Sequence, residues 1–362
     1  MKSNLIILAA ISLAACGGGG GSNSSTGTPS AAPASHTCIG GPFTTDVTQV
    51  CTDASGKVVT AYVYALPVTI IPDGTIISAD TTWGVSGSPY FIAGTVWVAK
   101  GVTLTVTDNT IVEGLKPVPC TSDCIGQIPT KGIINVAGGM NVGGSNQAQL
   151  LGVTVNNIDS QSGGGTVNIQ HTHLEDAFVQ ISNAAPFSMT YSQAYRLNVT
   201  PIVRAGSATY QAGTNGYPSF SNSTIKFNTF VDSAAFAFDP SVIMQNNLFI
   251  NMVDPLVLIN AFPTGQPTGI ARNNSFLFKQ GSPNPNRTVI ESHGTYDASA
   301  IHTLDFSNNF WGITDNGTIQ GRVRDSTNTG NPRLPNVINY APAAASPDPS
   351  TPADPQGGTP NI

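Results

Sequence analysis

Ile225-Lys226-Phe227-Asn228-Thr229-Phe230 and Met244-Gln245-Asn246-Asn247-Leu248-Phe249 share one pattern: an apolar residue, Asn three positions later, and a second apolar residue two beyond. The pattern returns at Val153/Asn156/Ile158, Ala271/Asn274/Phe276 and Phe306/Asn309/Trp311, with Ile169/Thr172/Leu174 as a variant. Such a unit buries one apolar strand face, bends at the Asn and buries the next apolar side chain. It has no core of its own, so the copies must stack into a solenoid. Asn suits the bend because it tolerates left-handed backbone angles, and stacked amides can bond along the axis as a ladder. Successive Asn positions 228, 247, 274 and 309 lie 19, 27 and 35 residues apart. A coil of about twenty residues that carries loops at one turn accounts for this spread.

Composition agrees. Charged residues are 9% of the chain and hydrophobic residues 40%, with abundant Gly, Ser, Thr and Asn, which argues for stacked strands and tight turns rather than a disordered chain. The formal net charge of −6 leaves no basic footprint for nucleic acid. Tyr90 to Val98, Val102 to Val106 and Gly132 to Val136 are the strongest strand signals, rich in Val, Ile, Thr and aromatics and punctuated by Gly. Lying ahead of the Asn repeats, they are expected to form an amino-terminal cap that shields the first strand edges.

The segment Asn308-Asn309-Phe310-Trp311-Gly312-Ile313-Thr314-Asp315, followed by Val337-Ile338-Asn339-Tyr340-Ala341-Pro342, resembles the last coil and closing strand of the pectate-lyase-like proteins. That resemblance covers roughly Tyr62 to Pro342 and implies an all-β, right-handed parallel β-helix. It fixes activity poorly, because this fold hosts lyases, hydrolases, epimerases, adhesins and binding scaffolds alike. The Trp-Ile-Asp-His segment of pectate lyases and the Asp-Asp and Gly-His-Gly segments of polygalacturonases are missing. Thr200-Pro201-Ile202-Val203-Arg204-Ala205-Gly206 is similar to the Arg-containing strand of pectate lyases but lacks its first Arg.

At the amino terminus, Lys2 precedes an apolar run from Leu5 to Ala15, which reads as a secretory signal. Leu13-Ala14-Ala15-Cys16 resembles a bacterial lipobox, which implies cleavage before Cys16, acylation of that cysteine and, with Gly17 next, an outer-membrane address. Residues 17–37 read as a flexible Gly/Ser tether of roughly 25 Å end to end. The remaining cysteines, Cys38, Cys51, Cys120 and Cys124, are an even set suited to an oxidising compartment. Pairing Cys38 with Cys51 and Cys120 with Cys124 keeps both links local, although four cysteines permit three connectivities; a zinc site would need a second knuckle that the spacing lacks. The expected organisation is a signal peptide at 1–15, a tether at 16–37, disulfide-containing strands and cap at 38–130, the β-helix at 131–342 and a disordered tail at 343–362.

For chemistry, the position two beyond the second apolar residue gives Ser160, Asp176, Asp232 and Asn251, and the coil between the two aspartates brings Arg196 near the same column. An acid, a guanidinium and a second acid along one exterior column could act as general acid and base or bind a sugar acid. They equally suit a solvated ladder that relieves like-charge repulsion. His171, His173 and Glu175 alternate as metal ligands would, but the repeat places a bend at Thr172 and breaks the alternation, so no metal is expected. His293 and His302, near Glu291, Asp297 and Asp305, lie in an insertion whose spacing carries no specific signal. Trp83 and Trp97 are expected to pack in the cap, while Tyr210 and Tyr217, in Gly- and Asn-rich sequence, are candidates for an exposed sugar-stacking platform.

The sequence therefore points to a lipid-anchored surface scaffold that binds extracellular polysaccharide or another surface without catalysis and without a cofactor. Alternatives are a polysaccharide lyase or glycoside hydrolase working on an acidic glycan through Asp176, Asp232 and Arg196, or a passive structural scaffold.

Overall fold

The computed structural model describes residues 37–38, 49–52, 58–61, 69–114, 132–157, 165–181, 187–195, 198–199, 223–233, 237–238, 242–252, 255–260, 270–279, 288–294, 303–329 and 337–355. From Thr69 onward the strands recur in threes. Thr69–Ile71, Thr75–Ile77 and Thr81–Trp83 make the first coil; Tyr90–Ile92, Thr95–Val98 and Thr103–Val106 make the second. Each strand pairs in parallel with its counterpart one coil on, giving three faces: a nine-stranded first face, a second face in sheets of six and four strands, and a third face in sheets of eight and two. The bridge between Ser275 and Phe310 adds a tenth coil to the nine of the first face. The molecule is a parallel β-helix.

Alternation decides which side chains face inward. In Thr95–Val98 the two valines are 0% and 1% exposed, and in Thr103–Val106 Leu104 and Val106 are both fully buried. The second apolar residues of the repeat form an internal stack, Phe230 on Phe249 on Phe276 on Trp311, with centroids 4.9, 5.1 and 5.4 Å apart. Burying one such ring contributes roughly 1.5–3 kcal/mol, so the column is a main source of cohesion between coils.

The asparagines do what the repeat predicts. Asn228, Asn247, Asn274 and Asn309 are all fully buried at the tight turn from the third face to the first. Asn228 Nδ2 donates to Met189 O and to Asn247 Oδ1, and Asn247 and Asn274 repeat this geometry one coil on. Each Asn Oδ1 also accepts the backbone N–H of the preceding ladder residue, as in Asn228 N to Asn247 Oδ1 at 3.1 Å. Thr172 and Ser192 continue the line: Thr172 N donates to Ser192 Oγ, and Ser192 N to Asn228 Oδ1. The residue before each asparagine, Phe227, Asn246, Asn273 or Asn308, takes a left-handed φ of 55–59°.

Three expectations change. Asn156 lies within the second-face strand Thr154–Asn157 and outside the ladder, because β-branched Val155 before it disfavours the left-handed bend. Among the described residues parallel stacking begins at Thr69, so the strands between Thr69 and Glu113, expected to form a cap, are themselves coils. Beyond residue 343, where composition predicts disorder, the chain to 355 lies along the body. Ala344 N donates to Asn309 O, Asn246 Nδ2 to Asp348 Oδ1 and Thr351 Oγ1 to Asn273 O, while Lys279 pairs with Asp354. Specific polar contacts offset the low apolar content of this tail.

Candidate binding face and the acidic corner

Turns from the third face to the first are short, whereas the long insertions, such as 115–131, 200–222 and 279–289, leave or enter the second face. The second face is thus the one bordered by long connections, the usual place for contacts on a rigid scaffold. Its outer surface carries a register column of Ile76, Trp97, Asn135 and Asn156, one residue per coil. Ile76 is 67% and Trp97 43% exposed. Asn156 Nδ2 donates to Asn135 Oδ1 at 3.0 Å, so the two amides form a short ladder in the coils after the indole. Asn156 Oδ1 and the neighbouring Thr154 Oγ1 are buried and make no hydrogen bond among the described residues. Asn135 is 6% exposed and Asn156 half-buried, so the accessible part of the column is the Trp97 ring with Ile76, an apolar platform that can stack on the C–H face of a sugar.

The sequence places both Trp83 and Trp97 in packed positions. Trp83 is, at 2% exposed and stacked on Tyr90, but Trp97 is not. The signal that separates them is alternation: Val96 and Val98 both point inward, which turns Trp97 out. Tyr210 and Tyr217 lie outside the described residues, as do Cys16, Cys120, Cys124, Arg196 and His302. Cys38 and Cys51 face each other in register across an antiparallel strand pair.

Asp176 and Asp232 do share a column. They occupy equivalent positions at the corner leaving the first face, with Asp176 N donating to Tyr195 O and Asp232 N to Ile250 O. Gly152 and Asn251 are in the same column, while Ser160 lies outside the described residues. Four residues there have left-handed φ: 61° at Gly152, 48° at Asp176, 49° at Asp232 and 51° at Asn251. Gly, Asp and Asn adopt this conformation most readily, which gives the acids a backbone reason for their place, although His171, Tyr191 and Phe227 take similar angles at the turn from the third face to the first.

The histidines separate as the bend requires. His171 is the turn residue, φ 44°, with its ring on Gly144 O at 2.6 Å and stacked on Tyr191 at 5.1 Å. Tyr191 stacks in turn on Phe227, giving a three-ring column along the turn from the third face to the first. His173 points from the first face and pairs with Glu175 at 3.2 Å, beneath Tyr195. No set of three metal-ligating side chains comes together among the described residues.

One titratable group escapes a reading of the sequence. Glu113 ends a first-face strand, is 4% exposed, and its Oε2 has no hydrogen-bond partner among the described residues. Its register neighbours are Phe91 and Leu151, with Glu175 one strand further. Burial among these side chains pushes its carboxyl up to about 8, so it is largely protonated at neutral pH. Nothing in its spacing distinguishes it from an ordinary exposed glutamate.

Comparison with protein-family models, with curated proteins and with solved structures finds no match to this chain.

Proposed function

We propose that this protein is a lipid-anchored β-helix of the bacterial outer membrane, related in coil design to the pectate-lyase-like proteins, that binds extracellular polysaccharide without cleaving it. The observation that carries this reading is the exposed Trp97 ring, in register with the exposed Ile76 on the second face. Its flanking insertions supply room for further contacts. The anchor rests on Leu13–Cys16 and the glycine-rich tether; no helix among the described residues is long and apolar enough to cross a membrane.

The acidic corner supports the binding reading in a negative way: its aspartates sit at left-handed positions, which Asp, Asn and Gly adopt most readily. Their alignment two coils apart is the one observation that favours a lyase or hydrolase instead. Size-exclusion chromatography of acidic and neutral polysaccharides incubated with the protein separates the readings. Co-elution at unchanged glycan length is expected, with binding lost in Trp97→Ala and kept in Asp176→Asn/Asp232→Asn. Shortened glycan that depends on the two aspartates would reverse the conclusion. For the anchor, incorporation of a labelled fatty acid that disappears in Cys16→Ser is expected; unlabelled wild-type protein would remove it.

A further inference from the structure

The tenth coil builds a second recess, far from Trp97. Asp315 caps the short helix Asn316–Gly321 by accepting from Thr318 N at 2.7 Å, and Ile319 anchors that helix in the core. The chain then returns to the second face as Val323–Arg324, pairing with Ile290 and Glu291. Buried Asp325 accepts from Thr327 N and Oγ1 and from Ile338 N, while Asn328 Nδ2 donates to Val323 O. These bonds fix the wall of an open cavity of about 660 Å³, lined by Thr288, Gly317, Gln320, Gly321, Arg324 and Asn328.

We propose that this cavity is a subsite for a neutral, hydroxyl-rich saccharide unit, an inference that takes the polysaccharide reading above as its premise for the ligand class. Its volume lies within the range of small-molecule sites. Apart from Val323, its side chains are amide, hydroxyl and guanidinium groups, which an apolar ligand would strand without partners. Arg324 already pairs with Glu291, so the lining presents no surplus positive charge to hold a sugar acid or phosphate. The Gln320 carboxamide is exposed and makes no side-chain hydrogen bond among the described residues, and it offers both a donor and an acceptor to vicinal hydroxyls. Val323–Arg324 is the tenth strand position of the same face that carries Trp97 in its second coil. At about 4.8 Å per coil the two lie roughly 38 Å apart along the axis, a span for a polymer rather than a single sugar.

Gly321 makes the test clean. A Cβ placed there meets nothing within 4 Å, and its backbone is helical, so Gly321→Leu fills the recess without disturbing the wall. Neutral hexasaccharides of glucose, xylose and N-acetylglucosamine, with oligogalacturonate as the charged control, are titrated calorimetrically into the full-length chain. Thermal midpoints are recorded in parallel. Gly321→Leu and Gln320→Ala are expected to weaken a neutral oligosaccharide about tenfold each, the equivalent of one or two lost hydrogen bonds, at unchanged midpoint. Gly321→Ala should bind as the wild type does. Binding that falls only in Trp97→Ala would remove the subsite and leave the second-face reading standing. A site that takes only oligogalacturonate would overturn the neutral class, and absence of binding by every saccharide would overturn both conclusions.

Discussion

Replacing Glu113 by glutamine should make this protein more stable at neutral pH, because glutamine stays neutral in the unfolded chain as well as in the folded one. The carboxyl is 4% exposed, flanked by Phe91 and Leu151, and lifted from 4.5 to about 8 by burial. Below about pH 4.5 it is protonated in both folded and unfolded chains and contributes no pH dependence. Between 4.5 and 8 the unfolded chain releases the proton and the folded chain holds it. The folded state then binds more protons, so stability falls as pH rises, by about 1.4 kcal/mol per unit. Above 8 both states are ionised and the loss levels off at roughly 5 kcal/mol; at pH 7 it is near 3 kcal/mol. Glutamine keeps the shape and carries no charge at any of these values. Urea denaturation followed by tryptophan fluorescence, at each pH from 4 to 9 for both proteins, isolates the contribution of this one group as the difference between the two curves. The difference should be near zero or slightly unfavourable at pH 4 and grow in favour of the Glu113→Gln variant above pH 5, flattening past 8. Parallel curves, or a growing advantage toward acid, would refute the argument that Glu113 is held protonated by burial.

Asn247→Ala removes the acceptor of Asn228 N and Nδ2 and the donor to Ile225 O and Asn274 Oδ1, so it should cost roughly 3 kcal/mol or more by denaturation; Asn247→Ser, which copies Ser192, should recover part of that. Ending the chain after Tyr340 forfeits the contacts of Pro342, Ala344, Asp348, Thr351 and Asp354 with the last coils and should lower stability by roughly 2 to 5 kcal/mol, whereas an unchanged midpoint would show the segment to be a passenger. Peptide mapping without reductant should recover Cys38 linked to Cys51, since opposite positions on antiparallel strands bring their backbones within disulfide reach; free thiols at both would exclude the link.

Much of this architecture can be read from the chain because the Asn turn makes two demands at once. It needs an amide that bonds forward and backward along the axis, and it needs apolar residues at fixed offsets on either side. Four of the five Asn matches satisfy both demands; the Thr172 variant keeps the apolar offsets and joins the ladder only through its backbone N–H, its hydroxyl turning back to Gln170 O. Asn156 satisfies the offsets while Val155 forbids the bend. Counting from that slip points to Ser160, whereas the residue that stands in the column with Asp176 is Gly152. The coils before residue 131 are hidden for a related reason: their turns are made by glycines and by Asn109, without the flanking apolar pair that makes the later turns visible.

The site is less legible because in a solenoid one residue type answers to two causes. Asp176 and Asp232 are aligned, acidic and exterior, which is what a general acid and base would be; they are also at φ near 48°, a conformation in which Asp and Asn are enriched. Conformation explains the acids, the glycine before them and the asparagine after them with one requirement, while catalysis explains only the acids. Trp97 has no such second cause. Nothing in a strand flanked by Val96 and Val98 asks for an indole turned outward, and an exposed ring that large costs solvation with no folding return. A residue whose presence the fold does not require is the better pointer to what the surface is for, which is why the ligand is placed on the second face and not at the acidic corner.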